Sequence, residues 1–361
     1  MPSFRTGVVT GLLEERPGLQ RVEVDLGNGP ERAYGLTRLT GPVAVGDQVV
    51  VNTTAVELGL GTGGWHVVHW NLARNSWSER GPGHILKARY TSLQADVGSA
   101  EEHAAGRLAE AESVDGMPVV VAGLHSQLPA VAAAFKHAAP DGRLVYVMTD
   151  GAALPLALSD LVAALRARGL LDATVTCGHA FGGDHEAVSL FSALVVARHV
   201  CQADAAVVAM GPGVVGTGTR LGFSAIEVGP ALDAAAAVGA TPLACLRVSF
   251  ADPRPRHQGL SHHSATALGL ACRSRVTVPV PLVGGAEEAR LRANLAAAGL
   301  DARHHVVGVK APDVLALFER HRLAVQSMGR PAAADPVLFA CAAAAGALAA
   351  ERAFLTAPEP R

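Results

Sequence analysis

The sequence predicts an α/β protein, with a doubly wound, mostly parallel sheet preceded by a small N-terminal β-barrel domain. Two patterns carry that expectation. Beyond Met117, short apolar runs alternate with longer helical stretches, and strands apolar on both faces joined by amphipathic helices are the mark of a parallel sheet covered on both sides. Before Leu72, apolar and polar residues instead alternate within short segments separated by turn signals. The 361 residues exceed one average domain and are half hydrophobic, enough to fill a substantial core.

Residues 1–72 form the predicted barrel. Val22, Val24 and Leu26 share one side of a strand, Val49 and Val51 one side of another, and Gly27-Asn28-Gly29-Pro30, Gly41-Pro42 and Gly46-Asp47 supply the turns. Such barrels often bind nucleic acid through a basic, aromatic-bearing face. Here Tyr34, Trp65 and Trp70 stand without a clustered cationic partner in the sequence, and a net charge of -2 with no Lys/Arg blocks adds no electrostatic footprint. No nucleic-acid partner is expected. The run Gly59, Gly61, Gly63, Gly64 fits a tight connection with positive φ better than a ligand loop. Residues 73–114 read as a linker with an extended segment and a helix opened by Ser99 and Glu102 as a capping box.

Residues 115–361 form the predicted α/β domain. Its strands lie at Val119 to Ala122, Leu144 to Met148, Ala173 to Thr176, Ala205 to Met210, Leu243 to Val248, Val276 to Val280 and Val306 to Val309. The helices between them centre near Ala132, Ala163, Leu194, Ala236, Leu268 and Leu295, and a further helix starts at Pro312-Asp313. The apolar run Val337 to Ala350, about 14 residues, falls short of the roughly 20 that span a bilayer. It reads as a buried helix, and no membrane partner is expected. Five cysteines, odd in number and without a CxxC pair, indicate neither a disulfide framework nor a zinc ribbon, so a reducing cytoplasm is the expected compartment. The first residues carry no secretion signal.

Chemistry concentrates where these strands end. The first exits into His125-Ser126, the second into Asp150-Gly151, and the third into Cys177-Gly178-His179 with Asp184 beyond. The fourth exits into Gly211-Pro212-Gly213-Val214-Val215-Gly216-Thr217-Gly218-Thr219, and the fifth into Asp252, Arg254, Arg256, His257, Ser261, His262 and His263. The opposite edge, such as Gly169-Leu170-Leu171, is chemically plain. Ligands of open parallel sheets bind outside the carboxyl ends of the strands, so this asymmetry locates a candidate site.

Each residue has a bland explanation beside the functional one. Asp184 fits a helix cap and Asp150 a turn, while a lone His125 or His179 is more often a satisfied, partly buried ring. Adjacent His262 and His263 diverge by roughly 100° on a helix. Taken together, His125, Asp184 and His262 are the metal-ligand candidates, with Asp252, Asp150, His179 and His263 as acid, base or further ligands. Arg254 and Arg256 would clamp an anion, beside His257 and Ser261. Gly211, Gly213 and Gly216 match G-x-G-x-x-G, the pattern of a dinucleotide-binding oxidoreductase. They follow the fourth strand, however, and Gly218 and Gly222 sit where a helix should begin. Anion binding through backbone amides, assisted by the Thr217 and Thr219 hydroxyls, is the preferred role. Cys177 and Ser261 are weaker candidates as covalent nucleophiles, the first fitting a buried thiol and the second lacking a GxSxG elbow.

Three stretches, Asn52 to Val56 with Leu58 to Gly64, Cys177 to Asp184, and Phe250 to His263, resemble a bacterial family of uncharacterised proteins of about this length, domain-of-unknown-function family 3866. The resemblance spans nearly the whole chain and implies no activity, cofactor or catalytic residue. The residues themselves lead to the expectation of a hydrolase or transferase acting on a small anionic ligand, with a divalent metal as the cofactor to look for. A non-catalytic metabolite-binding or regulatory protein is the alternative, and assembly into a homo-oligomer is a minor expectation.

Overall fold

The computed structural model describes residues 2–60 and 62–355, and the chain divides into two compact units, Met1–Gly98 and Ser99–Arg361. Residues 73–114 are therefore shared between them.

The first unit is a closed five-stranded barrel of β1 (Phe4–Arg16), β2 (Leu19–Asp25), β3 (Pro30–Gly35), β4 (Gln48–Asn52) and β5 (His66–Asn71), in the order β1-β2-β3-β5-β4 with β1 and β4 closing the ring. Val22, Val24, Val49, Val51 and Val68 point inward and are buried, as period-two alternation requires. Gly7 lets β1 cross close to β2, since a Cβ there would stand 2.6 Å from the Asp25 carbonyl oxygen. Gly59, Gly63 and Gly64 have positive φ, in keeping with a turn, while Gly61 lies outside the described residues. One expectation is overturned. Arg21 and Arg32 carry their guanidinium carbons 5.3 and 4.9 Å from the Trp65 ring centroid, because β2 and β3 pair antiparallel and bring together residues distant in sequence.

The second unit is built on eight strands, all parallel: β6 (Pro118–Ala122), β7 (Leu144–Thr149), β8 (Ala173–Thr176), β9 (His185–Glu186), β10 (Ala205–Met210), β11 (Thr241–Cys245), β12 (Thr277–Pro281) and β13 (His305–Val309). Their order across the sheet is β9-β8-β7-β10-β6-β11-β12-β13. Alternate residues of each central strand enter different cores. Val119, Val121, Val145 and Val147 pack toward α3 (Leu190–His199), α4 (Val228–Ala237) and α6 (Gly285–Ala297). Val120, Leu144, Tyr146 and Met148 pack toward α1 (Leu128–Ala138), α2 (Asp160–Ala167) and α8 (Pro336–Leu355). This double burial explains the continuous apolar runs.

The helix α8 is long and apolar enough to cross a membrane by length and composition, yet 67% of that stretch is buried within this fold. It is a core helix. Its packing on α1 depends on Gly346, where a Cβ would stand 2.2 Å from the Val131 carbonyl oxygen.

Two further features shape the site. The fifth strand ends at Cys245, earlier than expected, and Val248–Ser249 pairs instead with Gly259–Leu260 in a separate antiparallel ladder. The break comes where Arg247 interrupts the apolar run. Downstream, the short helix α5 (His262–Thr266) widens into a π-helical turn over Ala267–Ala271.

The close approach of α8 to α1 gives a direct test. Gly346→Ala overpacks the contact and should destabilise the fold by about 1–3 kcal/mol, read as a lowered denaturant midpoint at unchanged slope.

Candidate functional site

Beyond β6 the chain departs for β7, and beyond β11 it departs in the opposite direction for β12, so their connections diverge where these two strands lie side by side. Such a divergence leaves a crevice at the carboxyl edge of a sheet. Gly123, Ala244, Cys245, Arg247, His263 and Ser264 line a narrow cavity of ≈10 Å³ there, room for about one water. A wider cleft of ≈430 Å³ opens at the same edge between Leu124–Ser126, Pro212–Val214 and Gln326–Met328.

The densest chemistry lies at the narrow cavity. The rings of His257, His262 and His263 have centroids 4.4–5.0 Å apart, and one nitrogen from each falls within 4.8 Å of the others. Ser261 caps α5 by accepting from the His263 amide at 3.2 Å and lies 2.8 Å from Nδ1 of His257. Ser261 is therefore an orienting residue here. Phe223 stacks on His263, with centroids 4.0 Å apart and planes 5° from parallel.

Arg247 was missed by sequence reasoning, although a lone arginine inside an apolar run was a visible signal. Its side chain is only 6% exposed, with Nη1 3.1 Å from Nδ1 of His263. A guanidinium has only hydrogens to offer, so Nδ1 accepts and the proton of this neutral ring lies on Nε2. Similarly, Arg256 Nε faces Nε2 of His257 at 3.4 Å, leaving the His257 Nδ1 proton for Ser261 Oγ. Burial, then neighbouring Arg247, pushes His257 and His263 down to about 3, and burial followed by Arg256 lowers His262. All three rings are neutral at physiological pH. The Nε2 of His262 is buried without a hydrogen-bond partner among the described residues.

Asp252 anchors this cluster. Its carboxylate accepts from Arg254 Nε at 2.9 Å and Nη2 at 2.7 Å and from Arg330 Nη2 at 3.4 Å, with Arg247 Nη2 at 3.8 Å. Arg330 also meets Asp335 at 3.2 Å, and Asp335 accepts from Ser249 Oγ at 2.6 Å. The Arg254 hydrogen bonds hold the Asp252 carboxyl well below the usual carboxylate range. A group so firmly ionised and paired is a poor proton shuttle, so the acid or base role foreseen for Asp252 gives way to that of an anchor. Arg254 is correspondingly committed to Asp252. Arg330 and Asp335 lie some 80 residues from Asp252, and nothing local in the sequence announced them.

The remaining candidates do not join the cluster in a metal-binding arrangement. Nδ1 of His125 lies 3.2 Å from the Met210 carbonyl oxygen and Nε2 lies 2.6 Å from Ser159 Oγ, so both ring nitrogens are used. Burial lowers His125 to about 4. Asp184 clasps the Thr174 amide at 2.8 Å and hydroxyl at 3.0 Å, and pairs with Arg166, which makes it a strand clamp. Asp150 accepts from the His179 amide at 2.9 Å across a turn in which Gly178 has φ +64, which fits its turn-shaping role. Cys177 is buried, as its apolar surroundings suggested.

The glycine loop departs from the helix-opening pattern, and its threonine groups are taken up within the loop. Gly211, Gly213 and Gly216 do not open a helix, for the chain instead makes a hairpin whose base pairs Gly216 with Phe223, and α4 starts only at Val228. The Thr217 amide donates to the Gly222 carbonyl at 2.8 Å, and the Thr217 and Thr219 hydroxyls bond each other at 2.8 Å. The Thr219 amide is consumed by the Thr217 hydroxyl. With these groups spent internally, the loop serves as a wall. A Cβ at Gly216 would lie 3.4 Å from Nε2 of His263, so the hairpin base closes over that ring, and Gly218 stands in open space. Glu227, also unforeseen, receives a 2.6 Å bond from Thr149 Oγ1, and burial raises its carboxyl.

A family model described as Protein of unknown function (DUF3866) matches residues 32–346. No curated protein matches the chain.

Two stability tests follow from these contacts. Asp252→Asn leaves the buried Arg247 without its counter-charge and should cost about 3–5 kcal/mol in chemical denaturation, whereas Arg254→Gln, which strips the buried carboxylate of its two shortest hydrogen bonds while Arg330 and Arg247 remain, should cost less, about 1–3 kcal/mol. For His125, the folded value of about 4 lies below the unfolded value of about 6.5. Its neutral form is favoured by folding, so the contribution, about 3 kcal/mol, is complete above the unfolded value and is lost as pH falls through that window. Denaturation from pH 7.5 to 4 should show a shallower decline in His125→Gln than in the parent.

Proposed function

We propose a function for this chain from the premise that it belongs to the DUF3866 family: it binds a small anionic metabolite at the carboxyl edge of its parallel sheet and acts on it as a hydrolase or transferase. One observation carries this reading, the set of neutral imidazoles of His257, His262 and His263 in a cluster where guanidinium groups outnumber carboxylates. Excess positive charge draws an anion, and a neutral imidazole has a ring N–H to donate to it. Strongly perturbed rings gathered at a sheet crevice favour catalysis over passive binding. In this reading Arg247 and Arg256 attract the ligand, His263 presents its Nε2 proton, and Asp252 and Arg254 hold the frame. The five buried free thiols fit the reducing cytoplasm that this reading includes.

The non-catalytic alternative draws on a different observation. Asp252 and Asp335, the carboxylates of the network, are both engaged in ion pairs, which suits a binding site that does no proton chemistry.

Turnover separates the two. With a substrate identified from a panel of small acidic metabolites, His263→Asn should lower kcat about 10²–10³-fold through loss of its N–H donor, while Arg256→Ala should act mainly on KM. A ligand that binds with no detectable conversion, and whose affinity alone responds to both variants, would establish the sensor.

A further inference from the structure

The chemical class of the anion can be drawn from the cluster's charge and shape. Four guanidinium groups, Arg247, Arg254, Arg256 and Arg330, bear on the imidazoles or on each other, against the two carboxylates of Asp252 and Asp335. The balance is two positive charges. They are concentrated, for Arg247, Arg254 and Arg330 all converge on one Asp252 carboxylate and the three rings lie within 5.0 Å of one another.

Two kinds of ligand suit three histidines, a metal ion or an anion, and the hydrogen-bond polarity distinguishes them. A metal needs a ring nitrogen with its lone pair free. Nδ1 of His263 receives Arg247 and its Nε2 bears the proton, while both nitrogens of His257 face partners, one of them Arg256. A divalent cation would also enter a field that is already positive. An anion meets the opposite conditions, with the Nε2 proton of His263 to donate, the partnerless buried Nε2 of His262 to satisfy, and guanidinium groups to neutralise.

Resting on the anionic-metabolite reading above, we infer that the ligand is a compact, doubly charged tetrahedral anion, the class of inorganic phosphate and phosphate monoesters, held without a metal at the outer face of the His257, His262 and His263 cluster, where His262 is half-buried and Arg256 exposed, the ≈10 Å³ cavity beside His263 being room only for a water. A linear dicarboxylate separates its two charges and matches the compact cluster poorly. A monocarboxylate leaves one positive charge unmatched.

Calorimetric titration of the full-length protein in the presence of a chelator, with inorganic phosphate, phenyl phosphate, acetate and succinate in turn, tests the inference. The expected result is that phosphate and phenyl phosphate bind at least tenfold more tightly than either carboxylate, and that the exposed Arg256→Gln substitution weakens them by tenfold or more with the fold intact by circular dichroism. Equal or tighter binding of acetate or succinate would overturn the tetrahedral class while leaving an anion site in place. Binding of phosphate only after Zn²⁺ or Mg²⁺ replaces the chelator would overturn the metal-free arrangement. If none of the four anions binds under any of these conditions, the anionic-metabolite reading itself falls.

Discussion

A single buried carboxylate organises the carboxyl edge of the second unit's sheet. Asp252 is wholly buried, and three arginines from separate segments turn toward it. Burying an ionised group is tolerable only with paired charges and satisfied lone pairs. Meeting that requirement draws the loop at 250–258, the break after β11 and the hairpin around Arg330 into one arrangement. The surplus of positive charge and the orientation of His263 follow from the arginines it gathers, while the imidazoles are depressed first by their burial and then by Arg247. Asp252 thus organises the charge of the edge through the ion pairs it holds.

The parallel sheet itself was legible because burial on both faces leaves an unmistakable mark, and runs such as Leu144 to Met148 and Ala205 to Met210 mapped closely onto β7 and β10. The barrel was legible through its strict alternation at Val22, Val24, Val49 and Val51. What escaped was whatever depends on pairing across distance. The stacking of Arg21 and Arg32 on Trp65 requires the β2–β3 register, and the union of Asp252 with Arg330 and Asp335 requires the tertiary fold.

At the candidate site, sequence placed the reactive residue types at the carboxyl ends of the strands, because strand exits can be counted along the chain. It could not resolve which polar groups were already spent. Asp184, Asp150 and His125 look reactive in a string of letters, yet each completes the hydrogen bonding of nearby backbone or side chains. The glycine loop shows the same limit, since its threonines bond to the loop that carries them. Reactive composition marks the neighbourhood, and hydrogen-bond satisfaction decides which members remain available.

The π-helical turn after the histidines has a mechanical consequence. A widened turn breaks the regular ladder, and here the Leu268 carbonyl oxygen lies 3.0 Å from Nε2 of His304 while Nδ1 of that ring lies 3.4 Å from the Val276 amide. One buried imidazole thereby rivets the end of the histidine-bearing helix to the chain entering β12 and β13. The pitch of the helix that carries His262 and His263 is accordingly fixed from the sheet's far margin, and loosening that rivet would turn both rings while leaving every residue around them unchanged.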